Sequence, residues 1–401
     1  MVRIHNLLFT IYHIIPPSIR RLIKIVIYKC ISPFFLVAIL LRRLKLNLWI
    51  VEGMELGSGM PLSIICAMEN RKFRNYLCGL IYGDSFRELN LGWVWYWNAI
   101  RIARKAKYDC AIMLVEVHNS LGEILNSKKW FYIPQWVKGE VDIPIGPLVL
   151  QDRSLKSDLR RIRKNALQYQ VCRDPESLSD FYYHMHIPYI TTSHGNCAHI
   201  SPFEEMKRGL TSGDLLFVTK QGERIAGALI LYEETGARLR SFGVRDGNNK
   251  YLVDGVIGAL YYYSLLYLES KGVNKVNFGW SRSFLRDGVL RYKAKWSQRL
   301  FGTSRNGFAL RVLSDTQAVR EFLYRNPFIF KHQKLLYGAY FIDSSESLSP
   351  EEFKKIDDDY CLFGLSKLFV YRIVSSTPVN RVKVPPEQAT RVALEEIAWK
   401  N

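Results

Sequence analysis

Residues 213–244 have the sequence GDLLFVTKQGERIAGALILYEETGARLRSFGV, in which apolar runs alternate with short polar connectors. The runs are 214–220, 224–232 and 238–244, and each connector between them contains glycine. Two apolar runs joined by a short loop with glycine are typical of a β-hairpin. The stretch therefore predicts three antiparallel strands in a meander.

The segments on either side of the meander have helical or extended patterns. Residues 253–270 (VDGVIGALYYYSLLYLES) are apolar nearly all round, with Asp254 near the start and Gly272 past the end. Asp is a favoured N-cap and glycine often follows a helix, so this pattern predicts a buried helix capped by Asp254. The same signals predict further elements: helices 155–168, 175–186, 203–210 and 289–300, and strands 169–172, 273–279 and 308–313.

This order of elements resembles the acyltransferase fold of the GNAT superfamily. The local sequence is similar to the G-x-S … G-L-x-x-F-K-x-x-W-G signature of its Fem-like, CelD-type branch, except that Ser297 replaces the last glycine. The resemblance implies a mixed α/β (α+β) fold: a GNAT-like mixed sheet with an antiparallel meander flanked by helices, in tandem GNAT-like halves. It covers roughly residues 154–313, and these positions carry the signature: Gly279-Trp280-Ser281, Asp287-Gly288-Val289, Tyr292-Lys293 and Trp296.

Composition restricts the class of partner and the compartment. The 401 residues carry a net charge of +19, which favours a phosphate-rich partner such as a nucleotide donor, tRNA or an anionic membrane surface. A basic protein without such a partner is the alternative. The seven cysteines are scattered and none is spaced C-x-x-C, which argues against a disulfide framework and a structural zinc site and indicates a reducing compartment.

The N-terminal segment 1–50 is apolar and basic and contains no acidic residue. Its most apolar window, 25–41, is short for a membrane span and is interrupted by Lys29 and Pro33. We expect an interfacial anchor on an anionic membrane, with the protein in the cytoplasm at the inner face of the cell membrane. A core helix with a basic rim is the alternative.

Three further units follow along the chain. Residues 51–147 are predicted to form an N-terminal α/β GNAT-like half with a helix at 93–107 and a strand at 110–117, ending at a Pro/Gly-rich boundary. Residues 148–315 form the predicted acyltransferase domain. Residues 316–401 form an extension with helices over 316–340, a helix capped by Ser349, a strand at 368–374 and a peripheral arm from 377.

The resemblance implies a donor site where the third meander strand leads into the following helix. There the unpaired N–H groups of the first helical turn favour a phosphate, and strand N–H groups polarise the acyl carbonyl. The expected donor is the thioester of acyl-CoA or of an acyl-carrier protein. Turns and close packing alone would also explain the glycines of this segment, Gly247, Gly255 and Gly258. The expected donor residues are Phe242, Gly243, Val244, Asp254, Gly255 and Val256.

A basic helix is predicted near the start of the acyltransferase domain. In RSLKSDLRRIRK, residues 153–164, four cations share one face: Lys156, Arg160, Arg163 and Lys164. They could hold phosphates of the donor, of tRNA or of lipid, and a solvated helix face is the alternative.

Four histidines occur within residues 184–199, where the resemblance implies the acceptor cleft. Metal ligands usually come with Cys, Asp or Glu partners at fixed spacing, and none is nearby, so we expect no metal. A neutral histidine could accept the proton of an attacking amine. We expect His194 in this role, with His186 and Tyr189 binding substrate; polar lining of the cleft is the alternative.

The loop and helix start at 280–293 supply the remaining candidates. The resemblance implies that Lys293 stabilises charge in the transition state, and Tyr292 or Ser281 could relay a proton to the leaving group. A surface position for Lys293 is the alternative. The acceptor is expected to contact four residues of this segment: Trp280, Arg282, Asp287 and Arg291.

These expectations define an N-acyltransferase that moves an acyl group from a thioester to an amine. The acceptor would be a small molecule, such as a sugar, or a lipid-linked envelope precursor, attacked directly with no covalent enzyme intermediate. An aminoacyl-tRNA-dependent peptidyltransferase, with tRNA as partner, and an inactive membrane-bound scaffold are the alternatives. No G-x-S-x-G, Walker or H-E-x-x-H motif supports a hydrolase, kinase or zinc protease.

Overall fold

A computed structural model of the protein describes residues 45–103, 109–119, 122, 130–146, 149, 152–195, 200–343, 348–374 and 384–399. Most of the expected membrane-associating segment 1–50 therefore lies outside the described residues. Its last part belongs to the first strand, β1 (Lys45–Met54), in which Leu48 and Ile50 are buried. No helix in the described ranges is both long and apolar enough to cross a bilayer.

The first sheet combines β1 with strands from both parts of the chain: β2 (Pro61–Ala67), β3 (Phe86–Trp95), β4 (Ile112–His118), β5 (Phe131–Pro134) and β13 (Asn306–Val312). Helix α1 (Arg71–Tyr82) connects β2 to β3, and helix α2 (Tyr96–Ala103) follows β3. The strand order is β3–β1–β2–β4–β13–β5, with β2 and β4 parallel and the other pairs antiparallel. The predicted strand 110–117 is confirmed as β4. The predicted helix 93–107 starts only at α2, because Trp93 to Trp95 pair with β1 in β3.

The second sheet contains the meander and is flanked by helices. Its elements are β6 (Trp136–Asp142), α3 (Arg153–Lys164), β7 (Gln168–Cys172), α4 (Pro175–Asp180), α5 (Ile187–His194), α6 (Phe203–Leu210), β8 (Gly213–Lys220), β9 (Glu223–Glu233), β10 (Gly236–Val244), α7 (Asn249–Val253), α8 (Val256–Ser270), β11 (Lys275–Arg282), α9 (Gly288–Ala294) and β12 (Arg299–Thr303). The strand order is β12–β6–β11–β10–β9–β8–β7, in which β7 to β10 are antiparallel and β10 and β11 are parallel. The predicted meander and mixed α/β fold class are confirmed.

The two sheets exchange strands. β6 precedes the predicted boundary at residue 147, yet it lies in the second sheet between β11 and β12. β13, from the predicted acyltransferase domain, lies in the first sheet between β4 and β5. A cut at residue 147 would therefore separate β6 from both of its strand partners.

Helix α8 is apolar on nearly every face and is buried against the second sheet. A buried carboxylate, Asp214 on β8, links the helix to the sheet. It accepts hydrogen bonds from the hydroxyls of Tyr267 of α8 (2.7 Å) and Tyr232 of β9 (2.6 Å) and pairs with Arg173. Burial by itself would raise the pKa of Asp214, but these donors lower it overall, so the group is a carboxylate at neutral pH.

The predicted N-cap role of Asp254 is wrong. The short helix α7 precedes it, and α8 begins after Gly255, whose φ of +94° is accessible to glycine at little cost. Asp254 instead forms an ion pair with Lys220 at 2.7 Å. The sequence places an acid near a helix start but does not reveal the break between two helices.

The C-terminal part, predicted to be an extension of helices and a strand, forms a third sheet. Its elements are α10 (Gln317–Arg325), β14 (Phe328–His332), β15 (Leu335–Asp343), α11 (Pro350–Tyr360), β16 (Lys367–Ile373) and β17 (Val392–Ile397). The predicted helices over 316–340 end at Arg325, because a residue before proline avoids the helical region and Asn326 precedes Pro327. The cap at Ser349 and the strand at 368–374 are confirmed, whereas the predicted peripheral arm contributes β17 to the sheet.

Two predicted helices have different ends. The predicted helix 289–300 stops at Ala294, since Ser297 has a φ of +55° and β12 begins at Arg299. The predicted helix 175–186 continues through α4, a π-helical turn (Phe181–His186) and α5. The π turn changes which side chains face the sheet, and this places His186 in the site described next.

Candidate functional site

A cavity opens where β10 and β11 separate. The two strands pair only at Ala237–Val276 and Arg238–Asn277. Beyond this point β10 stays with β9, while β11 bends at Gly279 (φ +73°) and stays with β6. The side chain of Asn277 accepts a hydrogen bond from Gly279 N at 2.8 Å and stabilises the bend. The space between the diverging strands measures about 460 Å³.

The described residues that line this cavity are mainly aromatic, aliphatic or cationic, and none of them is acidic. Arg238 and Arg240 are compensated at its edge by Glu233 and Glu205 respectively. Several lining residues carry no motif in the sequence, although alternation along β10 and helical spacing along α8 are signals that could have identified them. These include Arg238, Leu239, Arg240, Ser241, Ile257, Tyr261 and Phe278.

Lys293 lies in the cavity wall with its ammonium group buried. Helix α9 begins because Asp287 accepts a hydrogen bond from Leu290 N at 2.8 Å, and Leu290 and Trp296 pack inward. Lys293 Nζ donates to the carbonyl oxygen of Trp280 at 2.8 Å, and its side chain is 5% exposed. Burial lowers its pKa to about 8, although the nearby charge of Asp287 opposes this shift. Within the described ranges no carboxylate oxygen lies within 4 Å of Nζ.

His186, at the end of the π-helical turn, also lines the cavity. Its Nδ1 is 2.8 Å from the carbonyl oxygen of Phe242, so Nδ1 carries the hydrogen and Nε2 is the acceptor of the neutral ring. Phe181 and Tyr182 stack near the ring, and Gly243 lets the His186 backbone approach β10, since a Cβ there would be 2.6 Å from His186 N. Burial lowers the pKa of His186, so the ring is neutral at pH 7.

Tyr292 connects the cavity to helix α3. Its hydroxyl donates to Asp158 Oδ2 at 2.9 Å, and Lys295 Nζ lies 3.9 Å from the same oxygen. Burial and the Asp158 charge raise the pKa of Tyr292 well above its usual range. Tyr292 therefore stays protonated, with its proton directed to Asp158 rather than into the cavity.

Tyr189 and Trp280 also line the cavity, and their predicted contact with substrate stays a prediction. Burial raises the pKa of Tyr189. Trp280 is 42% exposed and carries Lys138 Nζ 4.6 Å from its ring centroid, so it forms part of the rim.

Other predicted site residues lie elsewhere. Arg282 stacks on Trp136 and Tyr76, with its guanidinium carbon 3.7 and 4.0 Å from the ring centroids, at the junction of the two sheets. Ser281 is buried outside the cavity lining, and Asp287 serves as the helix cap. His194 ends α5, and its side chain lies outside the described atoms.

The predicted donor residues are divided between two places. Phe242 lines the cavity, and Gly243 and Val244 follow it at the end of β10. Asp254, Gly255 and Val256 lie at the start of α8, where a Cβ on Gly255 would be 2.8 Å from Arg161 Cβ. The helix start thus lies beside the basic helix α3. The described residues contain no cluster of three metal-ligating side chains, and the expectation of a metal-free site stays a prediction.

The C-terminal unit braces helix α9. Leu285 N donates to Pro327 O at 2.8 Å and Ile329 N to Ser283 O at 2.7 Å, which continues the backbone pairing into the loop before α9. Arg291 pairs with Asp359 of α11, with Nη2 and Oδ1 3.1 Å apart, and its guanidinium lies over Tyr360. Arg291, predicted to bind substrate, therefore points away from the cavity and holds α9 in place.

No family description matches this sequence, and no curated protein matches it. Several solved structures are similar in fold. L-PGS from Bacillus licheniformis shares 10% identity over 70% of this chain and 85% of its own, with a TM-score of 0.33. FemX shares 12% identity over 62% and 80%, with a TM-score of 0.33. A GCN5-related N-acetyltransferase from Sphaerobacter thermophilus shares 10% identity over 63% and 73%, with a TM-score of 0.29. Similarities at this level identify neither a donor nor an acceptor.

The burial of Lys293 predicts a pH-dependent cost in stability. Its folded pKa of about 8 lies below the ordinary 10.5, so the folded state favours the neutral amine. Wild-type stability should therefore rise from pH 8 to 10.5 through this group. We expect Lys293→Met to be more stable than wild type at pH 7, by up to about 3 kcal/mol less the cost of leaving Trp280 O unpaired. The gain should shrink as the pH rises through this window. Urea denaturation of both proteins across pH 7–10.5 measures this difference in the free energy of unfolding.

The exposed Lys207→Met is the control and should match wild type across this pH range. A Lys293→Met variant that is less stable at pH 7, with no dependence on pH, would show that the ammonium is a stabilising structural group.

The ion pair between Arg291 and Asp359 should restrain helix α9, so its removal should loosen the helix. Asp359→Asn and Arg291→Ala should each speed amide hydrogen exchange in α9 about two- to five-fold, because a half-exposed ion pair contributes at most about 1 kcal/mol. The double variant should exchange no faster than Arg291→Ala alone, since that variant already removes the ion pair with Asp359 together with the contact on Tyr360. Exchange mass spectrometry of peptides covering 281–296 measures this.

Asp358→Asn is the matched control, because Asp358 is the neighbouring exposed carboxylate of the same helix. Equal exchange in Asp359→Asn and Asp358→Asn would mean that the ion pair does not hold α9.

Proposed function

We propose that this protein is an N-acyltransferase that transfers an acyl group from a thioester, carried by acyl-CoA or an acyl-carrier protein, to an amine. One observation carries the proposal. A neutral histidine and a buried ammonium, His186 and Lys293, face one cavity at the opening between two parallel strands. A proton acceptor and a fixed cation are the two groups that aminolysis of a thioester needs.

In the proposed reaction the amine nitrogen attacks the thioester carbonyl carbon. His186 Nε2 accepts the proton that the nitrogen loses, because Nδ1 is occupied by the carbonyl of Phe242. The oxyanion that forms is stabilised by the Lys293 ammonium. The Phe242 N–H also contributes, since the N–H and C=O of a strand residue point to the same edge.

The carbon–sulfur bond then breaks and its electron pair leaves with sulfur. Lys293, with a pKa of about 8, can protonate a thiolate whose ordinary pKa is about 8.5. His186 and Lys293 afterwards return to their starting states by proton exchange with solvent. Tyr292 orients rather than donates in this scheme, because its proton is held by Asp158.

The substrate class and location are further parts of the proposal. The aromatic and aliphatic side chains around the cavity suit the acyl chain and the ring of an amino sugar. We also propose an envelope or lipid-linked acceptor and a position at the inner face of the cell membrane. The basic, apolar residues 1–44 motivate that position from sequence alone, since an anionic membrane attracts such segments.

Thiol release tests the reaction class. The full chain, incubated with acyl-CoA of two to sixteen carbons and glucosamine as the amine, should release free thiol only when both are present. Ribonuclease should not change the rate. Amino-acid transfer that requires charged tRNA and is abolished by ribonuclease would establish the peptidyltransferase instead. No thiol release and no amino-acid transfer would favour the scaffold.

His186→Gln tests the proposed base. Because a general base contributes about 10² to 10⁴ in rate, we expect kcat to fall by about that factor. The wild-type rate should decline as the pH falls through the His186 pKa, which lies below 6.5, and this acidic limb should be lost in the variant.

His184→Gln is the control, since His184 is exposed two residues away. An acidic limb that persists in His186→Gln would assign the proton transfer to another group.

A further inference from the structure

Helix α3 presents an outer face made almost entirely of cations. Its sequence contains one acid, Asp158, which is buried and bonded to Tyr292. Leu155 and Ile162 pack the inner face into the core, which fixes the helix on the body of the protein. Six basic residues of this helix are exposed: Arg153, Lys156, Arg160, Arg161, Arg163 and Lys164.

These charges are not compensated by the protein around them. Arg161 lies 3.9 Å from Asp158, but in the described part of the chain no carboxylate oxygen lies within 4 Å of the other five. Cations three and four residues apart on a helix repel each other by about 0.2–0.5 kcal/mol per pair. The last turn benefits from the helix dipole, but Arg153 and Lys156 in the first turn do not. The face therefore costs stability unless an anionic partner covers it.

The basic face adjoins the candidate site. Helix α3 runs antiparallel to α8: Asp158 packs near Gly258, Arg161 near Gly255, and Asn165 Nδ2 donates to Asp254 O at 3.0 Å. The same helix reaches the cavity through the bond from Tyr292 to Asp158. A partner on this face would lie beside the start of α8.

The extent and composition of the face favour a folded acidic protein. From Arg153 to Lys164 it spans about 16 Å, which exceeds the length that one pyrophosphate can occupy. None of its exposed residues is a large apolar or aromatic side chain, so it lacks groups that insert into a bilayer or stack on unpaired bases. Arginine forks bind carboxylates as well as phosphates bidentately, so carboxylates spaced along a protein surface can pair with the whole face.

We propose that the outer face of α3 docks an acidic acyl-carrier protein, which delivers the thioester. This inference rests on the proposed thioester chemistry and selects the carrier-bound donor over free acyl-CoA. Carboxylates on one helix of the carrier face the cations of α3, and the arm bearing the thioester enters the cavity between β10 and β11.

Charge reversal tests the surface. Arg160→Glu/Arg163→Glu reverses two cations of the face, and Lys354→Glu/Lys355→Glu reverses two exposed cations of α11 as the matched control. Fluorescence anisotropy measures binding of labelled apo acyl-carrier protein to each full-length chain at 50 and 200 mM salt. Bulk tRNA and phosphatidylglycerol vesicles are measured in parallel, and thermal melting checks that both variants fold.

We expect the α3 variant to bind the carrier at least ten-fold more weakly than wild type, with no change in the control and weaker wild-type binding at higher salt. Carrier binding that is absent in wild type, or equal in both variants, would overturn the proposal. So would tRNA or vesicle binding that is lost in the α3 variant while carrier binding is unaffected.

Thiol release separates this proposal from the reaction class. With acyl-pantetheine as donor, a thioester that carries neither phosphate nor protein, the α3 variant should retain wild-type turnover, because the cavity is unchanged. Carrier binding that depends on α3 but yields no thiol release from either donor would refute the acyltransferase while the docking surface stands.

Discussion

The separation of β10 from β11 is the constraint on which the site depends. Two parallel strands that part after two pairs leave peptide groups without ladder partners, and unpaired buried groups of this kind cost about 1–3 kcal/mol each. The protein satisfies one such carbonyl on each strand with a side chain. Phe242 O on β10 receives His186, and Trp280 O on β11 receives Lys293. The two candidate catalytic groups, His186 and Lys293, therefore also supply hydrogen bonds that these strand carbonyls would otherwise lack.

Lys293 thus has two roles, since it pairs with Trp280 O and places a positive charge in the cavity. Together these roles account for a lysine in a buried wall. An ammonium there, without a neighbouring carboxylate in the described structure, lowers stability relative to an apolar side chain. A methionine would fill the space but would leave Trp280 O unpaired and remove the positive charge from the cavity. Stability and charge thus conflict at this position, and such conflicts are concentrated at functional sites.

Local patterns were sufficient for the meander of the second sheet and for helix α8. The meander and α8 follow from alternation and apolar periodicity in 213–270. The resemblance of the signature region singled out Lys293 and Trp280, and both line the cavity. Partners far away in sequence were inaccessible. Arg282 meets Trp136, and Arg291 meets Asp359, only after the units have packed. The place of His186 in the cavity depends on a π turn, which no propensity reveals.

The exchanged strands make the site a property of the whole chain. β6, from the first half of the sequence, holds β11 on the side away from β10 and so fixes the width of the opening. The C-terminal unit holds the loop and helix that follow β11, through the backbone pairing of Ser283 and Leu285 and the Arg291–Asp359 ion pair. His186 enters from the helices before the meander. The distance between His186 and Lys293 is thus set by three separately encoded units, and a change that loosens any of them alters the cavity without touching its lining.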